Sequence, residues 1–406
     1  MKTYIETELL PSTDILQKWE HYYCRLLFLF YPIAWFLHIP GTLGITSALF
    51  IGGALIYMNR PDFRRIIFSW PLFIWLALTV FHLANGFYHK VPGVDFVDIL
   101  HGFKIYSCIA IFTYWFQRDF WGTVKELLIT FGFYMVVASF VCDFGDEDEG
   151  RMSGAIYATQ LGQTVAMAVI YIVLWAYYNH YKVIKTLVLS AIPLFFIILA
   201  QTRNPMMMVI IIIIGYLYAV NLSNGNINLK LHLKVLLSIA AVLALAYVFV
   251  KDSGLGNRLS NVSVQYRDTY QYQQYSTGTI FDLIVGDRLI YYIVGFSLFL
   301  RSPIIGIGMW NYRYITGGVY PLHSEYMVHL CEGGIIALTL WLSFIIIVLR
   351  RILLFKTDNG IKQIALMGLA AILFCGIYAR EFFYEFFYPA YGLFLALYYH
   401  KNESVN

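Results

Sequence analysis

The chain has 406 residues, 60% of them hydrophobic and only 13% charged, with a mean hydropathy of +0.65. A soluble domain carries about 25% charged residues, so a soluble fold is excluded and a polytopic membrane protein is indicated. The net charge of +4 is too small to mark a nucleic-acid binder. Cys24, Cys108, Cys142, Cys331 and Cys375 lie in or beside apolar runs without paired spacing, which points to neither a metal site nor a disulfide framework.

In chain order, residues 1–23 read as a cytoplasmic tail; Met1 to Glu20 mixes charges with short apolar pieces and shows no cleavable signal pattern. A membrane span needs about 20 mostly apolar residues. Candidate runs are 24–39, 42–58, 66–87, 99–116, 126–142, 160–178, 186–202, 205–222, 235–250, 324–349, 362–379 and 384–400. The expected fold is therefore an all-α polytopic membrane protein of about 12 transmembrane helices. Nine lie within 24–250 and three within 323–400, with a large, partly helical hydrophilic loop at 251–322 and a short tail at 401–406. No internal repeat or low-complexity stretch stands out.

Loop charge sets the orientation. Arg60/Arg64/Arg65, Arg118/Lys125, Lys182/Lys185, Lys230/Lys234 and Arg350/Arg351/Lys356/Lys362 all fall in even-numbered links, which places those links and both termini in the cytoplasm. The odd-numbered links are then external. They include the neutral Ile39-Pro40-Gly41, the acidic run Asp143 to Glu149, the turn holding Arg203, the 251–322 loop, and Tyr378-Ala379-Arg380.

The external face offers no nucleoside triphosphate, and the chain shows no P-loop or Gly-rich phosphate fingerprint. Group transfer there needs a donor that brings its own activated leaving group, such as a lipid-linked diphosphate. Arginine suits the diphosphate because its planar fork binds phosphate bidentately and stays charged. Histidine suits the deprotonation of an acceptor hydroxyl because its pKa lies near working pH.

Arg203, in Gln201-Thr202-Arg203-Asn204-Pro205, sits between two apolar runs and hence at headgroup depth, where lipid contact and donor binding are both open. Arg288 has a competing ion-pair reading with Asp287 or Asp282. His323 is the sharpest candidate, at a helix start after Pro321, with Glu325 two residues on. Glu325 either orients His323 or complements the helix N-terminus. His329, almost two turns along, reads more simply as a packed intramembrane histidine.

The acidic run does not have EF-hand spacing and reads as a solvated loop; Arg151 after it is a further candidate for an anion site. Tyr266, Tyr270, Tyr272 and Tyr275 have two open readings, stacking on sugar rings or on each other.

These residues together resemble the O-antigen ligase and O-antigen polymerase superfamily of bacterial inner-membrane glycosyltransferases. The resemblance is carried by Gln201-Thr202-Arg203 opening a span and by Gly286-Asp287-Arg288 before an amphipathic stretch that runs to Ser302-Pro303-Ile304-Ile305-Gly306-Ile307-Gly308. It closes with His323-Ser324-Glu325 and Glu332-Gly333-Gly334. It is specific over about 200–340, and the span count and loop position extend it over most of the chain.

The resemblance implies an inverting, metal-independent transfer without a cofactor. Undecaprenyl diphosphate would be the leaving group, bound by Arg203 and Arg288, and His323 the base. Arg380, Glu325 and Arg151 would be further substrate-binding residues.

The Gln-Thr-Arg turn, the acidic loop with Arg151-Met152-Ser153-Gly154, Tyr378-Ala379-Arg380 and the length look more like O-antigen ligases, whose acceptor is the lipid A–core oligosaccharide. The alternative is a polymerase that adds the same donor to another lipid-linked repeat. A flippase or transporter is the rival of another class. Transporters place charges near the midplane, whereas here Lys104 is the main ionisable residue deep in an apolar run. The expected partners are the lipid-linked donor, the lipid acceptor and membrane lipids, with no nucleic acid or nucleotide.

Overall fold

A computed structural model of the protein describes residues 16–91, 96–143, 153–154, 158–200, 202–223, 289–316, 322–377 and 385–397. The described chain is a helical bundle with one two-residue antiparallel pair, β1 (Cys142–Asp143) and β2 (Ser153–Gly154). Its helices are α1 (Lys18–Phe36), α2 (Thr42–Tyr57), α3 (Pro61–Ile67), α4 (Trp70–Tyr88), α5 (Phe96–Arg118), α6 (Phe120–Val141), α7 (Ala158–Tyr178), α8 (Val183–Leu199) and α9 (Arg203–Ser223). After these come α10 (Leu289–Arg301), α11 (Asn311–Ile315), α12 (Glu325–Met327), α13 (Gly333–Leu354), α14 (Asn359–Gly376) and α15 (Tyr388–Ala396).

Six helical stretches are long and apolar enough to cross a membrane: Trp70–Tyr88, Asp98–Arg118, Phe120–Val141, Gln160–Tyr178, Glu325–Leu354 and Asn359–Gly376. Shorter apolar helices accompany them, among them α2 and α8. Helices α5 and α7 are the most enclosed of the six, 83% and 78% buried, and α15 is buried along its whole length. Outward faces remain apolar, with Leu55, Ile56, Phe140, Ile184 and Val188 all more than half exposed. In water such a surface would be an aggregation liability; against lipid it is the required solvent face.

Helix starts are set by local chemistry. Asp119 caps α6 by accepting from the Gly122 amide at 2.8 Å, and Asp358 caps α14 by accepting from Gly360 and Ile361 at 2.7 and 3.0 Å. Pro61, Pro71 and Pro389 occupy first turns, where a missing amide costs nothing.

The apolar runs fall on helices as expected, save that the run 235–250 lies outside the described residues. Three differences stand out. The link after residue 58 contains α3, because Arg60-Pro61-Asp62 starts a helical turn. The described part of the last run is a nine-residue helix, too short by itself to span. The run 324–349 is broken near its start, where a π-helical turn (Val328–Glu332) is followed by Gly334 at φ 64°.

Contacts sort the helix termini into two ends. At one end, Glu20 of α1 meets Tyr57 and Arg118, which finish α2 and α5, while Glu126 of α6 meets His21 and Arg25. Trp121 stacks on Tyr178 at 4.1 Å, Tyr177 donates to Asp358, Thr186 meets Tyr216, and Arg351 donates to the Leu395 carbonyl. This is the basic end, since Arg60, Arg64, Arg65, Lys125, Lys182, Lys185, Arg350, Lys356 and Lys362 belong to the same links. The opposite end holds the start of α9, α10 and α12 and the finish of α4 and α14.

Candidate active site

At this second end the chain brings together segments far apart in sequence. Ser324 caps α12, its Oγ accepting from the Met327 amide. The Tyr292 hydroxyl, in the first turn of α10, lies 3.0 Å from Ser324 Oγ and 2.5 Å from the Ile377 carbonyl that ends α14. A phenol has one proton, and a carbonyl can only accept, so Tyr292 donates to Ile377, and the Ser324 hydroxyl proton is shared between Tyr292 and the Gly376 carbonyl at 3.4 Å. Tyr326 adds a 3.0 Å bond to the Leu373 carbonyl. The turn that carries His323, itself half-buried, is thereby pinned to the first turn of α10 and the last turn of α14.

The start of α9 lies at the same end. Gly162, in the first turns of α7, packs so closely on Thr202 and Pro205 that an added Cβ would overlap the Thr202 hydroxyl. Its neighbour Gln163 donates to Cys375 Sγ at 3.4 Å, one residue before the end of α14. Helix α7 therefore bridges the Thr202-Arg203 turn and the α14 terminus against which His323 is docked.

The segment 302–310 locks onto the π turn. Widening a helical turn leaves carbonyls without intrahelical donors. Here Ile307 and Gly308 donate to the Cys331 and Glu332 carbonyls at 3.0 Å each, and Asn85 of α4 bridges the Ile305 and Glu332 carbonyls at 2.5 and 2.8 Å. Ile335 donates to Pro303 at 2.9 Å. Gly306 (φ 72°) and Gly334 (φ 64°) sit at the crossing in left-handed conformations. A Cβ on Gly306 would strike the Glu332 backbone, and one on Gly334 the Ile304 carbonyl. Both glycine motifs noted in the sequence are thus two halves of one backbone clamp.

Beneath the His323 turn runs a buried chain of three titratable groups. Glu325 Oε1 lies 3.0 Å from His329 Nε2, and His329 Nδ1 lies 3.0 Å from His82 Nε2. Their relative exposures are 1%, 0% and 3%. His329 thus bridges the two, with one ring nitrogen facing the Glu325 carboxylate and the other the His82 imidazole. Trp341 stacks on His329 at 5.3 Å and closes the chain from the apolar side.

Of the six site residues expected from the sequence, His323 and Glu325 are fully described. Glu325, expected among the substrate-binding groups and weighed as an orienter of His323 or a complement to the helix N-terminus, has its carboxylate 3.0 Å from His329 Nε2. Arg203 is the first residue of α9, with its side chain outside the described residues. Arg151, Arg288 and Arg380 lie outside them, as do Tyr266, Tyr270, Tyr272, Tyr275 and all of the acidic run except Asp143. Arg288 directly precedes α10, and Arg380 follows Ile377 by three residues.

Sequence reasoning missed His82 and Asn85. The signal was present: polar side chains in the apolar run 66–87 are costly and call for a partner. Lys104 is buried at 1% exposure, as its place in an apolar run required. Among the described residues, no three His, Cys, Asp or Glu side chains are grouped to hold a metal ion.

Residues 186–342 match a family model described as O-Antigen ligase. The match begins in α8, crosses α9, α10 and the clamp, and ends in α13, so it contains both Arg203 and the His323 turn. No curated protein matches the chain.

Proposed function

We propose that this chain, whose residues 186–342 match the O-antigen ligase family model, is an O-antigen ligase. It would move O-antigen polysaccharide from undecaprenyl diphosphate to the lipid A–core oligosaccharide, on the periplasmic face of a twelve-span inner-membrane protein. The observation that carries this reading is the docking of the His323 turn. Ser324 is bonded through Tyr292 to the helix that Arg288 precedes, and to the α14 terminus that Arg380 follows. Helix α7 links that terminus to the turn that Arg203 opens.

The opposite, basic end supports the orientation, since loops rich in Lys and Arg stay in the cytoplasm. The 251–322 loop then faces the periplasm, where a nucleotide sugar is absent and a polyprenyl diphosphate is the activated donor.

In the reaction, His323 takes the proton of the acceptor hydroxyl as its oxygen bonds the anomeric carbon. The carbon–oxygen bond to the diphosphate breaks, and the electron pair leaves on undecaprenyl diphosphate. Attack opposite the leaving group inverts the anomeric configuration. Arg203 and Arg288, with Arg380 and Arg151 around them, offset the negative charge of the diphosphate; fixed cations facing developing charge are worth about a hundredfold or more in rate each. No step calls for a metal or cofactor.

The test is the lipopolysaccharide banding pattern of a deletion strain rescued with wild type or His323→Ala. A core without a ladder, with lipid-linked polymer accumulating, supports the ligase reading. A core carrying a single repeat moves the assignment to polymerase, and an unchanged ladder removes both.

A further inference from the structure

Replacing Glu325, His329 and His82 by apolar side chains would fill the same space without the desolvation cost of a buried carboxylate and two imidazoles. Packing alone therefore does not account for these groups. What an apolar trio could not supply is direction: each hydrogen bond fixes a ring plane and a distance.

The chain also connects the right parts. Glu325 is in the turn that His323 enters, His329 is in the π turn, and His82 is on α4, 247 residues from His329 in sequence. One helical turn further along α4, Asn85 holds the Glu332 carbonyl at the far side of the same π turn. The His82 ring lies against Gly333, where an added Cβ would come within 2.8 Å of its Cε1. Helix α4 thus grips the π turn at both ends, once through an imidazole and once through an amide.

We propose that Glu325, His329 and His82 form a positioning relay, a buried carboxylate–imidazole–imidazole chain that holds the His323 turn in register with the π turn and α4. This rests on the transfer reaction proposed above. His82 and His329 touch neither donor nor acceptor; they act through the backbone that presents His323. Displacing a reacting group by about 1 Å costs about a hundredfold in rate, so the relay governs turnover and leaves donor affinity to the arginines.

The experiment compares wild type, His82→Leu, His82→Gln, Glu325→Leu and His323→Ala, purified in nanodiscs. Undecaprenyl-diphosphate-linked O-antigen serves as donor and lipid A–core as acceptor, with rates normalised to folded protein. His82→Leu is expected to lower kcat about 10- to 100-fold while the donor KM stays within about twofold. His82→Gln, whose amide can still hydrogen-bond to His329, is expected to regain most of that loss. A merely structural role would reduce folded yield and leave kcat per folded molecule intact.

Wild-type kcat in His82→Leu overturns the relay. Should that variant not accumulate, Glu325→Leu, which cannot accept a hydrogen bond, decides. It removes the acceptor that orients His329 without leaving a buried polar group in its place, and an unchanged kcat overturns the proposal. Loss of transfer in His323→Ala with full activity in His82→Leu defeats the relay alone. A wild-type protein with no transfer activity defeats the functional reading and the relay with it.

Discussion

The two ends of the bundle handle buried carboxylates in opposite ways. At the basic end, Glu20 is paired with Arg118 at 2.7 Å and hydrogen-bonded by Tyr57, while Glu126 takes two bonds from Arg25, at 2.6 and 3.1 Å, and one from His21. Each carboxylate there meets a guanidinium that never loses its charge. At the other end Glu325 meets an imidazole, which passes the contact to a second imidazole. The first arrangement staples helices together. The second ties the π turn to α4 through hydrogen bonds between imidazoles.

Breaking the reactive end should cost rate. His323→Ala is expected to lower transfer by about 10²–10⁴-fold, the range for losing a general base, measured with purified donor and acceptor. Arg288→Lys should fall by about a hundredfold, since an ammonium cannot reproduce a bidentate phosphate contact; normal kinetics would remove Arg288 from the site.

Breaking the basic end should cost stability instead. Arg118→Ala leaves Glu20, 1% exposed, without its cation, and a buried pair broken on one side loses about 3–5 kcal/mol. Thermal melting in detergent should drop, while kcat per folded molecule holds. Equal loss of kcat would mean that the two ends are not separable. Between these cases lies Gly334→Ala: a left-handed residue and a clash with the Ile304 carbonyl should cost about 1–3 kcal/mol and lower both melting temperature and rate. The smallest effect is expected from EDTA, which should leave transfer unchanged; inhibition would redirect attention to the acidic run Asp143 to Glu149.

The helices were legible in the sequence because lipid tolerates little besides long apolar runs with satisfied backbones. His323 was legible because it follows a proline at the start of such a run. The partner of His329 across the bundle was not. The separation of His82 and His329, 247 residues, hides a contact that only helix packing creates. The π turn was equally hidden, since nothing in Val328 to Glu332 departs from an ordinary helical pattern. Its cause lies in the partners that take its freed carbonyls, Ile307, Gly308 and Asn85. The glycines of the clamp were visible as a motif, but their reason, two backbones crossing at contact distance, required the second strand of chain.

The pins at Tyr292 and at Ile307 also set where this protein can accept change in length. Between them the chain is tethered at both ends, to Ser324 and Ile377 on one side and to Cys331 on the other. An insertion there would drag the histidine turn out of place. The stretch from Tyr292 to Ile307 is thereby fixed in length by its two anchors.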